Sequence, residues 1–480
     1  MTEKSSAAVA GHRRHAPEAR LEPDAIGVAQ DTVIGVSNSA PAATVALVLA
    51  GLAAATAYGV VTSMVLCAVA MLVIANSYRR LNLWNANCGA SFEWVGRTIS
   101  PYLGFFTGWL MIAANLIGSI AAAVVLGPSV LAIFGANANA RWPNIFIATG
   151  VIVVVGLIAV IGIRPTAWVQ VGLAVIEYTI LVGMSIWGLV AVLNHRPGTY
   201  HITSGWLKLN GVGGKGSLAA GLLIAVFLFA GWDGTVYVNE EVKHRRINPG
   251  RAAVFSVAIL AVIYILAQVG LQGVVSPAKL QANSSSALTY VASALGGSGW
   301  GKVMALALCL SVASSVGLGI VVLARITYGM AGHRVLPLIM SSVNRRFSTP
   351  AAATIIIGVV TIAITWIYLL SGSVANLFNQ LIDVTGLLFA SYYMLTAVAT
   401  IVYYRRRLLR NGWDALVAGI LPLGATAFLG WIIIRSLQTA PWEERWSVIG
   451  IAAAGVLLLF VVRVTMQSPY FRIPQESASN

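Results

Sequence analysis

Three carboxylic acids lie in stretches of sequence that are otherwise apolar and long enough to cross a membrane: Glu177, Asp233 and Asp383. On insertion scales, a charged side chain at the centre of a membrane-spanning helix costs about 2.5–3.5 kcal/mol. Each acid therefore needs a compensating partner. Glu177 is a candidate for carrying a proton, Asp233 for contact with a substrate, and Asp383 for the outer rim of a cavity.

Asp233 lies inside the segment GWDGT at 231–235, which interrupts an apolar run with two glycines. Two interpretations remain open for its side chain. It can face a substrate's ammonium group directly, or it can cap the exposed amides where the helix resumes, as an aspartate commonly does at an N-cap.

A second interruption lies in the first apolar segment, DTVIGVSNSAPAATVALVLAG, which starts at Asp31. Ser37, Asn38 and Ser39 compete with the backbone for hydrogen bonds, and Pro41 has no amide to donate. Backbone that leaves the helix at membrane depth is tolerated only beside protein or a water-filled cavity. Both interruptions therefore mark candidate binding positions, although glycines and a proline that only kink packed helices would give the same pattern.

The composition predicts the membrane-spanning helices that position these residues. The chain has 480 residues, of which 58% are hydrophobic and only 9% charged, and its mean hydropathy is +0.83. A soluble domain has about a quarter charged residues. The sequence predicts an all-α polytopic membrane protein with about twelve spans. The predicted spans are 28–56, 60–79, 92–127, 142–162, 166–194, 217–240, 250–275, 299–328, 349–370, 375–403, 412–436 and 446–466.

Basic residues predict the orientation. Of the 30 Lys and Arg, 22 fall on the side of the two chain ends and 8 on the other side, which places both termini in the cytoplasm by the positive-inside rule. The net charge of +15 then reflects topology and anionic lipid, and nucleic acid need not be invoked. We expect a multi-pass protein of the cell membrane.

Three regions follow from the same pattern. Residues 1–27 are polar, lack the apolar run of a cleavable signal, and are predicted to be a disordered cytoplasmic tail. Residues 28–466 form the membrane domain, and 467–480 are predicted to be a second disordered tail. Within the membrane domain we expect two repeats and a final helix pair, at 28–194, 217–403 and 412–466.

Several chemistries find no support. Cys67, Cys88 and Cys309 are single and lie in apolar surroundings, which is typical of core residues. No phosphate-binding loop, histidine–glutamate zinc motif or nucleophile elbow is present. We therefore expect no enzyme activity, no cofactor, no metal site and no partner protein.

The two interrupted spans are the first and the sixth, at matching positions of two five-span halves. Paired, interrupted helices of this kind are typical of inverted-repeat secondary transporters. Either interruption alone would favour a simple kink, and the matched pair favours a binding site.

At this point the chain resembles a known family, the amino acid–polyamine–organocation (APC) permeases. The likeness is carried by NANCGASFEWVGRTISPYLGFFTGW at 85–109, FAGWDGTVYVNEEVKHRRINPGRA at 229–252 and ARITYGMAGHRVLPLIMSSVNRRFSTP at 324–350, in this order. It extends over about 28–410. The family's fold is the LeuT-type five-plus-five inverted repeat, with two extra helices at the end.

The resemblance implies transport of amino acids or related amines, usually coupled to protons or to exchange. In the family, the amides of broken span one meet the substrate's carboxylate, and half-helix N-termini favour anions. The matching positions here are Ser37, Asn38, Ser39 and Ala40. The family's usual Gly-Ser/Ala-Gly run is replaced at these positions, so the groups that would contact a carboxylate remain open.

The substrate's amino group meets carbonyls of broken span six in the family. The matching positions are Phe229, Ala230 and Gly231. Trp232 matches an aromatic residue that gates the site, and we expect its ring to close over bound substrate.

Glu177 falls where many proton-coupled relatives carry a lysine. A glutamate there can carry a proton, hold a sodium ion, pair with a positive group, or make a structural hydrogen bond to span one. Burial favours the neutral form of a carboxyl group, which suits a proton carrier. On span eight, Ser311, Ser314 and Ser315 can supply oxygens to a sodium ion or bond back to their own helix.

The favoured interpretation is a secondary transporter of an amino acid that works by alternating access, coupled to protons or exchanging substrates, with sodium the less favoured ion. The alternative is a transporter of polyamines or other organic amines, because the three buried acids suit a cation. A non-transporting membrane receptor or scaffold is the third possibility. Near the cytoplasmic face, Glu93 and Arg97 are predicted to form a helical ion pair, and Glu240 and Glu241 to form a charged cluster with the basic residues that follow them.

Overall fold

The computed structural model describes residues 20–46, 60–138, 140–200, 202, 217–283, 286–371 and 374–478. Within these residues the chain is almost entirely helical, and ten helices are long and apolar enough to cross a membrane. With the two interrupted spans they account for the twelve that the sequence predicts. The ten are α3 (Val60–Trp84), α5 (Pro101–Ile133), α6 (Arg141–Ile161), α7 (Ile163–Leu193), α10 (Asn248–Gln272), α13 (Ser298–Gly332), α14 (Ala351–Ser371), α15 (Val374–Leu408), α16 (Gly412–Thr439) and α17 (Trp442–Thr465).

Spans one and six are each built from two helical pieces. In span one, α1 (Val28–Asn38) ends before Ser39 and Ala40, and α2 begins at residue 41 and is described to 46. The remainder of the predicted first span, 47–56, lies outside the described residues. In span six, α8 (Ser217–Leu228) is separated by a run of turns from the one-turn helix α9 (Gly234–Tyr237). Both interruptions predicted from the sequence are present.

The predicted third span, 92–127, starts too early. A separate short helix, α4 (Ser91–Thr98), precedes α5, and Ser100 between them is extended, with φ −164° and ψ 136°. Pro101 explains the separation, because the residue before a proline is driven out of the helical region. The apolar run continues across this corner, so hydropathy alone could not find it. Two further short helices, α11 (Pro277–Ala282) and α12 (Ala287–Gly296), precede span eight.

The core lies where the two halves meet. Span three (α5) runs along span eight (α13), and span two (α3) runs along span seven (α10). Glycine permits the close crossing of α7 and α10, because a side chain on Gly188 or Gly270 would collide with the backbone of the other helix. Small residues at such crossings are typical of helix packing in membranes. The interrupted spans are packed inside this frame, with α1 against α10, α7 and α13.

Residues 467–478 pack against the helical bundle, so the prediction of a disordered tail after Gln467 is wrong for these described residues. Tyr470 is buried, its ring stacks on Phe92 at 4.3 Å, and its hydroxyl donates to the carbonyl of Phe92 at 2.8 Å. The carboxylate of Glu476 lies 2.9 Å from the guanidinium of Arg97. The tail mixes isolated apolar residues with prolines and polar residues, and this composition resembles that of a disordered segment.

Candidate functional site

A cavity of about 70 Å³ lies where the two interrupted spans meet. Spans one and six, together with spans three, eight and ten, supply its walls. None of the described residues that line it is charged. The lining residues are Asn38, Ser39, Ala40, Ala43, Thr44, Asn115, Gly118, Ser119, Ala121, Ala122, Phe227, Ala230, Gly231, Val312, Ser315, Gly319, Thr385 and Phe389.

The break in span one is shaped by its backbone. Ala40 has a φ of +46°, a left-handed conformation that is uncommon for any residue other than glycine. The amides of Ser39 and Ala40 still donate to carbonyls of α1, whereas Ala42 and Ala43, at the start of α2, donate to side chains of other helices. The break therefore creates two amides that need partners from outside the span, as the ends of helices do.

Glu177 on α7 supplies the first of those partners. Its Oε1 accepts a hydrogen bond of 2.9 Å from the amide of Ala42, and its Oε2 has no partner among the described residues. The carboxylate therefore lies at the N-terminus of α2, where a negative charge is favoured. The structural hydrogen bond to span one, one of the interpretations left open for Glu177, is present. Its role in coupling stays a prediction.

The three serines of span eight bond to other helices. Ser311 Oγ accepts from the amide of Ala43 at 3.3 Å, and Ser315 Oγ donates to the carbonyl of Asn38 at 3.0 Å. Ser314 Oγ donates to the side chain of Gln170 on span five. The alternative in which these hydroxyls bond back to their own helix is therefore wrong. Two of them stabilise the break in span one instead.

Asn38 joins the two breaks. Its Nδ2 donates to the carbonyl of Gly231 at 2.9 Å. Gly231 has a φ of +103°, and a side chain on it would come within 3.0 Å of Asn38. Of the predicted substrate positions in span one, Asn38, Ser39 and Ala40 line the cavity, while Ser37 is buried and shares a hydrogen bond of 2.8 Å with the hydroxyl of Tyr178.

Asp233 has three hydroxyl partners. Tyr237 and Tyr392 donate to its Oδ2 at 2.5 and 2.7 Å, and Tyr393 donates to its Oδ1 at 3.0 Å. Asp233 occupies the N-cap position of α9, but its side chain makes no capping hydrogen bond. The capping interpretation is therefore wrong, because the tyrosines occupy the carboxylate. The side chain is fully buried and does not line the cavity.

The remaining predicted residues of span six divide into two groups. Ala230 and Gly231 line the cavity. Phe229 and Trp232 are fully buried beside it, with Phe229 against Tyr264 at 5.4 Å and Trp232 stacked on Tyr393 at 5.2 Å. Closure of the Trp232 ring over a substrate remains a prediction. Asp383, on span ten, is half-buried and does not line the cavity.

Two buried polar residues were missed by sequence reasoning. Thr385 on span ten is fully buried, lines the cavity, and its Oγ1 has no partner among the described residues. Asp31 on α1 is also fully buried, and neither carboxylate oxygen has a described partner. An unpaired buried hydroxyl costs about 1–3 kcal/mol, so Thr385 is a candidate for ligand contact. A lone threonine in an apolar span carries no sequence signal of this kind.

The end of the bundle beneath the breaks is held by a buried ion pair. Arg325 on span eight and Glu241, just after α9, form two hydrogen bonds of 2.9 and 3.0 Å, and neither side chain is exposed. The prediction that Glu241 joins the basic residues following it is therefore wrong, because its partner comes from span eight. The predicted ion pair of Glu93 with Arg97 is confirmed at 2.7 Å.

These features define a class of protein: a polytopic α-helical transporter in which two interrupted helices meet at a central cavity. Comparison with known proteins gives the family. The sequence model of the family described as Amino acid permease matches residues 24–470, so the chain belongs to that family. This confirms the resemblance to the APC permeases and shows that the protein is a transporter and not an enzyme.

Individual relatives are distant. The chain is 25% identical over 343 residues to an uncharacterized transporter of Mycobacterium tuberculosis, covering 71% of this chain and 73% of that protein. It is also 25% identical to the vacuolar Cationic amino acid transporter 4 of Arabidopsis thaliana, covering 63% of this chain and 52% of that one.

Among solved structures, the manganese transporter of Eremococcus coleocola superposes with a TM-score of 0.61 at 13% identity, covering 92% of this chain and 95% of that one. At this identity the likeness shows the LeuT-type fold alone.

Proposed function

We propose that the protein carries an amino acid across the membrane by alternating access and that the substrate binds in the cavity between the two interrupted spans. The observation that carries this proposal is the lining itself. It joins the breaks of spans one and six, offers hydroxyl, amide and backbone groups, and includes no charged side chain among the described residues. Such a lining suits a small zwitterion, whose two charges meet the dipoles of broken helices.

The alternative substrate class, polyamines and other organic amines, is not favoured. A polycation needs carboxylates that face it, because a buried charge requires a partner of opposite sign. Glu177, Asp233 and Asp383 do not line the cavity, and the carboxylate of Asp233 is occupied by three tyrosine hydroxyls. A divalent cation is disfavoured for the same reason, since hard cations take carboxylate ligands.

Proton coupling is part of the proposal and rests on the position of Glu177. Its carboxylate lies at the N-terminus of α2, where it accepts from Ala42. A substrate carboxylate that approaches Ser39 and Ala40 comes to the same half-helix end. Two negative charges at one place repel, and protonation of Glu177 removes that repulsion. Substrate and proton therefore favour each other's binding, and this coupling is reciprocal.

The experiment is uptake by the purified protein in proteoliposomes. A panel of labelled amino acids is offered with the interior alkaline, with and without a protonophore, and putrescine is tested beside it. We expect a small neutral amino acid to accumulate only while the pH gradient lasts. Accumulation of putrescine alone would favour the amine class, and a requirement for a sodium gradient would replace the proton. Binding without flux would indicate a receptor.

A further inference from the structure

The side chain of Asn38 occupies an acceptor that a substrate's amino group would use. Its Nδ2 donates to the carbonyl oxygen of Gly231 at 2.9 Å. A carbonyl oxygen can only accept, so the amide nitrogen is the atom that faces it. Asn38 and Gly231 both line the cavity, so this bond lies at the surface that a ligand meets.

The carbonyl of Gly231 has no acceptor capacity left. It also accepts from the backbone amide of Gly234 at 3.0 Å, and a carbonyl oxygen has two lone pairs. The backbone of Asn38 is held as well, because its own carbonyl accepts from Ser315 Oγ at 3.0 Å. The Asn38 side chain, in contrast, turns on its own torsions and can leave Gly231 without moving either helix.

We infer that Asn38 is a specificity-determining residue whose side chain occupies the Gly231 carbonyl, and that an ammonium group reaches this carbonyl only by displacing that side chain. This inference rests on the proposed function. An ordinary hydrogen bond contributes about 0.5–1.5 kcal/mol and one to a charged group about 1.5–3 kcal/mol. A charged ammonium therefore displaces Asn38 with a net gain, whereas a neutral donor exchanges one ordinary bond for another and gains nothing.

The consequence is selection for a charged amine. A ligand without an ammonium group binds without disturbing Asn38, and it loses the contribution of Gly231. A ligand with an ammonium group must first break the hydrogen bond between Asn38 and Gly231, and it then forms a charge-assisted bond to the Gly231 carbonyl. When Asn38 is shortened, the ammonium ligand no longer has to break the resident bond, and the other ligand is unaffected.

The test uses L-alanine and propionate, which share a carboxylate and differ in the amino group. Binding of both is measured on the purified full-length protein, its Asn38→Ala variant and its Asn38→Ser variant, whose shorter side chain does not reach Gly231. We expect L-alanine to bind about fivefold tighter to both variants, the equivalent of about 1 kcal/mol, and propionate to bind as it does to the parent. The control is Ser129→Ala, on span three outside the cavity lining, which removes the hydrogen bond of 2.8 Å from its hydroxyl to the carbonyl of Val125; its affinity for L-alanine should match the parent's.

Each outcome decides something. If L-alanine binds the parent but binds both Asn38 variants equally or more weakly, Asn38 is a direct contact or a structural residue and the inference is overturned, while the proposed function stands. Equal tightening of propionate would show that the variants merely enlarge the cavity, which also overturns it. If neither the parent nor the variants bind L-alanine, both the inference and the proposed site for a small neutral amino acid fail.

Discussion

The carboxylate of Glu177 and the backbone amide of Ala42 are joined by a hydrogen bond of 2.9 Å. This bond connects the middle of span five to the first turn of the second half of span one. An alternating-access transporter changes the packing of its interrupted spans against the uninterrupted helices around them. Glu177 is a titratable group on an uninterrupted helix and bonds to the break in span one, so it is well placed to link proton binding to that change.

Replacement of Glu177 by glutamine should abolish accumulation driven by a pH gradient while substrate binding and exchange survive. Glutamine keeps a carbonyl oxygen for the Ala42 amide but cannot titrate. Two assays in proteoliposomes measure this: uptake driven by a pH gradient, and exchange of substrate by counterflow. Glu177→Leu serves as the structural control, because it leaves the Ala42 amide unpaired at a cost of about 1–3 kcal/mol and should lower the melting temperature. A glutamine variant that still concentrates substrate like the parent would place coupling elsewhere.

The Asp233 cluster should behave as a unit. Tyr392 and Tyr393 each donate to Asp233, and a hydrogen bond to a charged group contributes about 1.5–3 kcal/mol. Tyr393→Phe and Asp233→Asn should each lower thermal stability in detergent, and the double variant should lose less than the sum, because partners in one network are coupled. Strictly additive losses would show that this hydrogen bond contributes nothing to stability.

The buried pair of Glu241 and Arg325 should be costly to break. Arg325→Met leaves an unpaired buried carboxylate, which costs about 3–5 kcal/mol, and adding Glu241→Gln should recover part of that loss. Arg164 and Glu22 form a matched exposed pair at 2.8 Å, with 57% and 36% of their side chains exposed. Arg164→Met should therefore change stability by less than about 1 kcal/mol. Thermal unfolding of the four proteins compares them, and equal losses at the two sites would contradict the expected difference.

Docking of the C-terminal tail should weaken at acid pH. Burial alone raises the pKa of Glu93, but the neighbouring His333 and Arg97 outweigh it and hold that pKa below its ordinary value. A carboxyl whose pKa is lower in the folded state stabilises that state above the unfolded pKa of about 4.3, and this contribution is lost as pH falls further. Proteolytic cleavage after residue 467 should therefore rise as the pH drops below this value. Glu93→Gln should already show at neutral pH the cleavage rate that the parent reaches only at acid pH; a parent-like profile in that variant would exclude Glu93 as the titrating group.

Local chemistry predicts some of these features and long-range packing determines the others. The breaks in spans one and six follow from Pro41 and Gly231, because proline and glycine change the backbone conformation at their own positions. The corner at Ser100 was missed because the apolar run passes through it. Partners were missed for a different reason: Arg325 is 84 residues from Glu241, and Tyr392 is 159 residues from Asp233.

The fold's class was accessible from apolar runs, Lys and Arg counts and three local motifs, since each of these is read along the chain. The cavity was not, because its walls come from five spans. Thr385 shows the limit clearly, since its sequence context is that of any apolar helix, and only packing reveals that its buried hydroxyl lacks a partner among the described residues.

The central claim is that a zwitterionic amino acid binds between the two interrupted spans. Its most direct test is competition for uptake in proteoliposomes between L-alanine and ethylamine, its decarboxylated counterpart, using whichever labelled substrate the panel identifies. The account predicts that L-alanine competes about tenfold better or more, the equivalent of about 1.4 kcal/mol, because only the amino acid carries a carboxylate to the break in span one. Equal competition by ethylamine would contradict it and show that the site recognises an amine alone.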